Sequence, residues 1–204
     1  MANLFEQIDR LYNNQKLSSK QIAKHLGLSI WSVIYQMRKH NLPRRNRSET
    51  NQIRFLRKNP TFHKKLRLTS NDKIILNSAV MLYWAEGVKK STTYVDFVNS
   101  DQKMILIFLT ALRQIYKIDE SKLRILLYCY PNQNSDELIK YWSSILKINK
   151  ALFTKPYIRK QNENVKIHSM THGIVHLRYH DKKLLMQIMN EVDIIQKHFI
   201  CQGG

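Results

Sequence analysis

The chain has 204 residues, of which 43% are hydrophobic, so it is long enough for one or two domains with a buried core. Its formal net charge of +19 indicates a polyanionic partner, either nucleic acid or an anionic membrane surface. No apolar run in the sequence approaches the roughly 18–20 residues that a membrane-spanning helix needs. We therefore expect a cytoplasmic protein that does not associate with membranes.

The first 43 residues carry three helical patterns. A capping-box pair, Ser18 and Gln21, predicts the start of a second helix over Ser19–Leu26. Gly27 ends that helix, and a third helix is predicted over Ile30–His40. Three short helices with glycine in the tight turn are typical of a helix-turn-helix, which predicts such a domain over residues 1–43.

The run LSSKQIAKHLGLSIWSV, residues 17–33, resembles the core of bacterial helix-turn-helix modules. In that family the third helix enters the major groove of double-stranded DNA, and residues near its start reach the base edges. The resemblance implies that Lys39 contacts phosphate and that the bases are read by Trp31, Ser32, Tyr35 and Gln36. Gln36 can pair bidentately with adenine, and Trp31 can contact a thymine methyl. The alternative is a helical bundle used for protein contacts.

A basic segment, residues 44–68, follows, and we interpret it as a connector. It holds nine Lys and Arg residues, and Glu49 is its single acid. A run of almost exclusively positive charges beside a helix-turn-helix favours an arm that follows DNA phosphates. Three arginines could enter a minor groove: Arg44, Arg45 and Arg47. Within the segment we predict a short helix over Asn51–Lys58, broken by Pro60.

The remaining region, residues 69–200, is predicted to be a second domain with the order α-β-α-β-α-β-β-α. The predicted elements are helix Ile74–Gly87, strand Tyr94–Val98, helix Lys103–Tyr116, strand Lys122–Tyr130, helix Leu138–Ile148, strands Phe153–Arg159 and Gly173–His180, and helix Lys183–His198. This order favours an α+β fold with helices on one face of a mostly antiparallel sheet. The helix Ile74–Gly87 is apolar nearly all round, which predicts that it is buried.

The last two predicted strands each carry a polar face. Alternation in Gly173–His180 sets an apolar side against a polar side, which holds His176, Arg178 and His180. The polar side of Phe153–Arg159 holds Lys155, Tyr157 and Arg159. A sheet with helices on one face and cations on the other can lie against nucleic acid, so these residues are candidate DNA contacts.

The end of the helix Ile74–Gly87, AVMLYWAEG, resembles the LAGLIDADG motif of homing endonucleases and their non-cutting relatives. Leu82, Ala85 and Gly87 match the motif, and Glu86 stands in for its final acid. In that family two such helices pack side by side, and their carboxylates hold a divalent metal over the DNA backbone. The resemblance implies that Glu86 is a catalytic and metal-binding residue for Mg²⁺. Because one chain supplies one such acid, cutting would require a homodimer.

Two residues depart from the motif at the helix surface that would pair. Met81 occupies a position that is normally small, and Trp84 is large and aromatic. The predicted element order also differs from the α-β-β-α-β-β-α of the family. Regulators of the WhiA type join a LAGLIDADG-like domain to a helix-turn-helix and do not cut DNA. The other interpretation of Glu86 is a helix-end acid paired with Lys89 or Lys90.

The sequence thus favours a sequence-specific double-stranded DNA-binding protein, associated with the nucleoid and serving as a transcriptional regulator or mobile-element factor. The alternative is a Mg²⁺-dependent homing endonuclease of the LAGLIDADG type, acting as a homodimer through Glu86. A third hypothesis, RNA binding, is permitted by the basic strands. It is disfavoured because A-form RNA hides the major groove from a recognition helix.

Overall fold

The computed structural model describes residues 3–90, 93–159 and 171–200. The chain divides into two compact units, Met1–Asn59 and Pro60–Gly204. Over the described residues the fold is α+β, with eight α-helices and one four-stranded sheet. The segment that we interpreted as a connector, residues 44–68, is divided between the two units.

The first unit is helical throughout its regular structure. Its helices are α1 (Leu4–Asp9), α2 (Ser19–Leu26), α3 (Ile30–Lys39) and α4 (Arg47–Arg57). A π-helical turn, Arg10–Asn14, extends α1. The predicted capping box is present at α2, where the side chains of Ser18 and Gln21 bond each other's backbone N–H groups. A core that includes Ile8, Leu11, Ile22, Val33 and Met37 joins α1, the π turn, α2 and α3.

Helix α4 begins four residues earlier than the predicted Asn51–Lys58. Asn46 caps it by accepting from the backbone N–H of Glu49, and the Glu49 carboxylate accepts from the backbone N–H of Asn46 in return. The acid that looked isolated within the basic run is therefore half of a capping box. No residue of α4 is buried, so this helix does not contribute to the core of the unit.

The second unit has the predicted order of helices and strands. Its elements are α5 (Ser70–Glu86), β1 (Val95–Asn99), α6 (Gln102–Gln114), β2 (Leu123–Cys129), α7 (Ser135–Leu146), β3 (Tyr157–Ile158), β4 (Ile174–Tyr179) and α8 (Lys182–Ile200). The largest difference from the prediction is β3, which has two residues instead of seven. A short 3₁₀ turn, Lys150–Leu152, precedes it.

The sheet has the strand order β1-β4-β2-β3. The pairs β1–β4 and β4–β2 are antiparallel and β2–β3 is parallel, so the prediction of a mostly antiparallel sheet is confirmed. One face of the sheet packs against the helices. On that face the strand residues Phe97, Leu127 and Leu177 are buried together with the helix residues Phe108 and Trp142.

The start of the second unit, residues 60–68, is packed into that unit and does not extend as an arm. The backbone N–H of Thr61 donates to the Asp181 carboxylate at 2.7 Å. Lys64 pairs with Glu191, and the Nζ of Lys65 lies 2.6 Å from the Asp72 carboxylate. These two cations of the basic run are thus engaged within the fold.

Candidate nucleic-acid interface

Helix α3 separates a buried face from an exposed aromatic face. Val33 and Met37 are buried in the core of the first unit. Trp31 is 77% exposed and Tyr35 is 62% exposed, although both are large side chains. This division follows the helical period, because residues two apart point away from each other while residues four apart share a face.

The remaining predicted readers lie on the same helix. Ser32 and Gln36 are half-buried, and Lys39 is exposed at the last residue of α3. Ser29 caps the helix by accepting from the backbone N–H of Ser32 at 3.0 Å. The predicted base-reading residues are therefore together on α3, with the two aromatic side chains the most exposed of them.

The turn between α2 and α3 depends on Gly27. Its φ of 66° lies in the left-handed region, which glycine adopts without the steric penalty of other residues. The backbone N–H of Leu28 then donates to the carbonyl of Ala23 at 2.9 Å. This turn fixes how α3 leaves α2 and so determines which of its faces remains exposed.

The three arginines predicted to enter a minor groove do not share one environment. Arg45 is held inside the first unit: its guanidinium donates to the carbonyl of Lys16 at 2.9 Å and lies 3.8 Å from the ring centroid of Tyr12. We therefore correct its assignment from an arm residue to a structural one. Arg44 and Arg47 are exposed.

The uncovered face of the sheet in the second unit carries polar and aromatic side chains; we call it the open face and define it by Arg124, Tyr128, Tyr157, His176 and Arg178. The predicted alternation in β4 is confirmed, because Val175, Leu177 and Tyr179 are fully buried on the helical side. His176 and Arg178 are half-buried on the opposite side. His180 lies just beyond β4, where it is exposed and its ring lies 4.9 Å from that of Tyr94.

An acid that sequence reasoning missed organises the open face. Asp96 is a register partner of Arg178 across β1 and β4, and its side chain is only 3% exposed. The Nε of Arg178 donates to its Oδ2 at 2.9 Å, and the Nδ1 of His176 lies 3.1 Å from its Oδ1. Two of the predicted DNA contacts are therefore held in place by one buried carboxylate. The available signal was an acid in the middle of an otherwise apolar strand.

Three rings form a row across the other end of the open face. The ring of Tyr128 lies 4.7 Å from that of Tyr157 and 4.5 Å from that of His176. Tyr157 is 51% exposed, so this row ends on an accessible aromatic side chain. Tyr128 and Arg124 were not predicted as contacts, although alternation along the strand Lys122–Tyr130 would have placed them on this face.

Lys155 and Arg159 flank β3 without belonging to it. The segment nevertheless follows β2, because Thr154 N–H donates to the carbonyl of Ile125 at 2.8 Å and Arg159 N–H donates to that of Cys129 at 2.9 Å. Both predicted cations are exposed. They stand at the β3 edge of the sheet, where they add positive charge beside the open face.

Glu86 is the last residue of α5, and its side chain is exposed. Its carboxylate makes no hydrogen bond or ion pair with any residue that the structure describes, so the pairing with Lys89 or Lys90 is not found there. The chain continues directly along the outer edge of β1, where Val88 N–H donates to the carbonyl of Asp96 at 2.9 Å. Glu86 thus lies next to the β1 edge of the sheet.

Gly87 permits the close approach that this geometry needs. A Cβ at this position would lie 2.5 Å from the carbonyl oxygen of Tyr83, far inside van der Waals contact. The Tyr83 hydroxyl donates to the carbonyl of Val88 at 3.4 Å, and burial raises the pKa of this phenol to about 12. The glycine is therefore explained by packing at the end of α5.

Helix α5 is not buried all round, which corrects the prediction from its apolar composition. Ala79, Val80 and Tyr83 face the core. Met81 and Trp84 are 43% and 38% exposed, because the sheet and the neighbouring helices cover only one side of α5. Part of the exposed side borders an apolar groove of about 500 Å³ that α5 shares with the end of α8.

The described residues contain no group of three or more His, Cys, Asp or Glu side chains that could share a metal ion. Glu86 offers one carboxylate, whereas Mg²⁺ requires near-octahedral oxygen coordination. Within the described residues, one copy of the chain thus brings no second acid to Glu86, which the LAGLIDADG resemblance would require from a partner helix.

Comparison with known proteins gave no assignment: no family model matches the chain, and no match was found among curated proteins or solved structures. In the part of the chain that the structure describes, no helix is both long and apolar enough to cross a membrane. The function is therefore inferred from the residues of two surfaces, the exposed face of α3 and the open face.

Proposed function

We propose that this protein binds double-stranded DNA sequence-specifically and that α3 of the first unit reads the bases. The exposure of Trp31 and Tyr35 on a helix whose opposite face is buried carries this proposal. Large exposed apolar side chains that cluster on one element mark interaction surfaces. On a chain with a formal net charge of +19, the partner with matching chemistry is a polyanion.

The residue types on α3 suit base recognition in the major groove. The amide of Gln36 presents a donor and an acceptor that match adenine, and Trp31 can pack on a thymine methyl group. Lys39 at the end of the helix suits a phosphate, which positions the protein without specifying sequence. The helix would thus combine base readout with an electrostatic anchor.

The open face of the second unit supports a further contact with nucleic acid. Arg124 and Arg178 lie in one register row, next to the aromatic row that ends at Tyr157. Arginine side chains on a sheet suit phosphate contacts, and the flanking Lys155 and Arg159 have the same sign of charge. We assign the protein to the class of transcriptional regulators or mobile-element factors.

The direct test is selection of a binding site from a pool of random duplexes, followed by affinity measurements on the selected site. The affinity should fall steeply as salt rises, because phosphate contacts release counterions. Gln36→Ala should relax base preference at one position, whereas Lys39→Gln should weaken all duplexes about equally. Absence of duplex binding, or affinity that does not change with salt, would overturn the proposal.

A second candidate function is a Mg²⁺-dependent homing endonuclease of the LAGLIDADG type, acting as a homodimer. Glu86 favours it, because this exposed carboxylate has no partner within the described residues and lies at the edge of the sheet. The exposed apolar side of α5 also favours a helix–helix contact between two copies. Incubating the protein with Mg²⁺ and plasmid from its own genomic neighbourhood would reveal nicking. A crosslink between two α5 helices would test the dimer.

A competition experiment distinguishes RNA binding through the open face from the two DNA-directed functions. Structured RNA should displace a labelled duplex poorly if α3 supplies the affinity, since the A-form major groove does not admit a helix. Equal displacement by RNA and by unlabelled duplex would instead favour an RNA-binding protein.

A further inference from the structure

A wide groove of about 780 Å³ lies within the first unit, between α2, α3 and α4. Seven cationic side chains line it, and we call it the basic groove: Lys16, Lys20, Arg44, Arg45, Arg54, Arg57 and Lys58. Its volume falls in the range of ligand sites in proteins, about 300–1,000 Å³. The groove is distinct from the exposed face of α3 that carries Trp31.

Four of these cations, Lys16, Lys20, Arg44 and Arg54, have no counterion among the described residues. Each is exposed, and none of their side chains makes a hydrogen bond or ion pair with the residues that the structure describes. No Asp or Glu of the described residues lines the groove. Like charges gathered on one concave surface repel each other, so an anion bound there would relieve that repulsion.

The walls of the basic groove are held by other arginines. The guanidinium of Arg57 donates to the backbone carbonyl of Gln15, which ties the end of α4 to the turn after α1. Arg45 donates to the carbonyls of Lys16 and Leu17, the next two residues of the same turn. Helix α4 buries no residue. The Arg57 bond fastens the end of this helix, and the Arg45 bonds fasten the segment that leads into it. Arg45 and Arg57 therefore stabilise the groove, whereas the four unpaired cations are available to bind an anion.

One wall of the basic groove belongs to the helix that we propose reads DNA. Ile30 and Ile34 of α3 line it, together with Ser18 and Ser19 at the start of α2. A DNA strand whose bases face α3 has its phosphates beside that helix. The basic groove thus lies next to the position at which a phosphodiester backbone would pass.

We propose that the basic groove binds phosphate groups and that their source is one strand of the duplex backbone. This inference rests on the proposed function, since it assigns the backbone contact of the same DNA complex. Arginine binds phosphate through its planar fork of N–H donors, and lysine binds it as a compact charge, so both residue types suit this ligand. Helix α4 then acts as a clamp on the backbone beside the reading helix.

The test uses the full chain and a double variant, Lys20→Gln with Arg54→Gln. Fluorescence anisotropy with the selected duplex and with a random duplex, from about 50 to 200 mM salt, gives the dependence of affinity on salt. Loss of two phosphate contacts should reduce the slope of log affinity against log salt by about 2 and weaken both duplexes by the same factor. Because both residues are exposed, the melting temperature should equal that of the wild type.

A matched control is Arg10→Gln with Lys24→Gln, which removes the same charges from exposed positions of the first unit outside the groove. The control should keep the wild-type slope. If the groove variant also keeps the wild-type slope while the wild type binds duplex normally, the inference is overturned and the proposed function stands. Failure of the wild type to bind any duplex would overturn the proposed function itself.

A nucleoside triphosphate is the other source of the same phosphate chemistry. ATP is titrated against the wild type without DNA, with calorimetry as the readout. Heat of binding that disappears in the groove variant, combined with an unchanged duplex salt slope, would overturn the backbone assignment. An absence of ATP binding together with the reduced slope supports it.

Discussion

Arg178 and Asp96 face each other across β4 and β1, and the arginine Nε donates to the carboxylate at 2.9 Å. The same carboxylate holds His176, and its own side chain is only 3% exposed. A nearly buried carboxylate on the uncovered side of a sheet indicates that the two basic residues are fixed in position before any partner arrives. This arrangement limits the side-chain entropy that they would lose on binding.

Replacing Asp96 with alanine should lower the free energy of unfolding by roughly 1–3 kcal/mol, because the variant leaves half-buried donors without their acceptor. Urea denaturation measures the change. Asp193→Ala is the matched control, since that acid is exposed on α8 and should change stability by no more than about 0.5 kcal/mol. Equal stability of the two variants would contradict the structural role of Asp96.

Trp31→Ala should separate DNA binding from stability. Because the side chain is 77% exposed, the free energy of unfolding should change by less than about 0.5 kcal/mol. Affinity for the selected duplex should fall at least about tenfold, or about 1.4 kcal/mol, through loss of the aromatic contact. Ile107→Ala on α6 serves as the control, since that side chain is also exposed but lies on the helical side of the sheet. Unchanged duplex affinity in the tryptophan variant would contradict the proposal that α3 contacts DNA.

Glu86→Gln tests the endonuclease alternative. The side chain is exposed and has no partner in the described part of the chain, so the variant should keep the wild-type stability and duplex affinity. Any Mg²⁺-dependent nicking of plasmid should disappear, because the amide is a weak metal ligand in place of a carboxylate. Glu137→Gln, at an exposed acid of α7, should leave nicking intact. Nicking that survives in the Glu86 variant would assign the cutting to other residues or to a contaminant.

Asp72 should make the stability of the second unit depend on pH in the acid range. Hydrogen bonds from Lys65 and Thr69 lower its pKa from 3.8 to about 2. Because the folded-state pKa lies below the unfolded one, the stabilisation is complete above about pH 4 and disappears as pH falls through about 2. Asp72→Asn should therefore melt below the wild type at neutral pH and approach it near pH 2. A difference in melting temperature between variant and wild type that stays constant from neutral pH to about pH 2 would contradict this role of Asp72.

Local sequence signals predicted much of the fold. The order of elements in the second unit and the capping box at Ser18 and Gln21 follow from patterns within a few residues of each element, and both are confirmed. The start of α4 was missed because its capping pair, Asn46 and Glu49, lies inside a run dominated by positive charge. The length of β3 was overestimated because periodicity cannot show how far a segment remains hydrogen-bonded to its neighbour.

The candidate site was less accessible to prediction, because it depends on contacts between distant parts of the chain. Asp96 and Arg178 are 82 residues apart, and no local pattern pairs them. Arg45 looked like an arm residue because its partners, the carbonyls after α1, carry no sequence signature. The exposure of Met81 depended on how many neighbours cover α5, which composition alone does not give.

The way that α5 meets the sheet also limits the pairing of strand edges between two molecules. Gly87 and Val88 bond to the outer edge of β1, so that edge is partly occupied by the chain itself. At the opposite side, β3 is two residues long in the described structure and is flanked by Lys155 and Arg159. Exposed strand edges are templates for aggregation, and short or charged edges suppress it. A four-stranded sheet with one face uncovered thus offers few backbone groups to which the strand of another molecule could add.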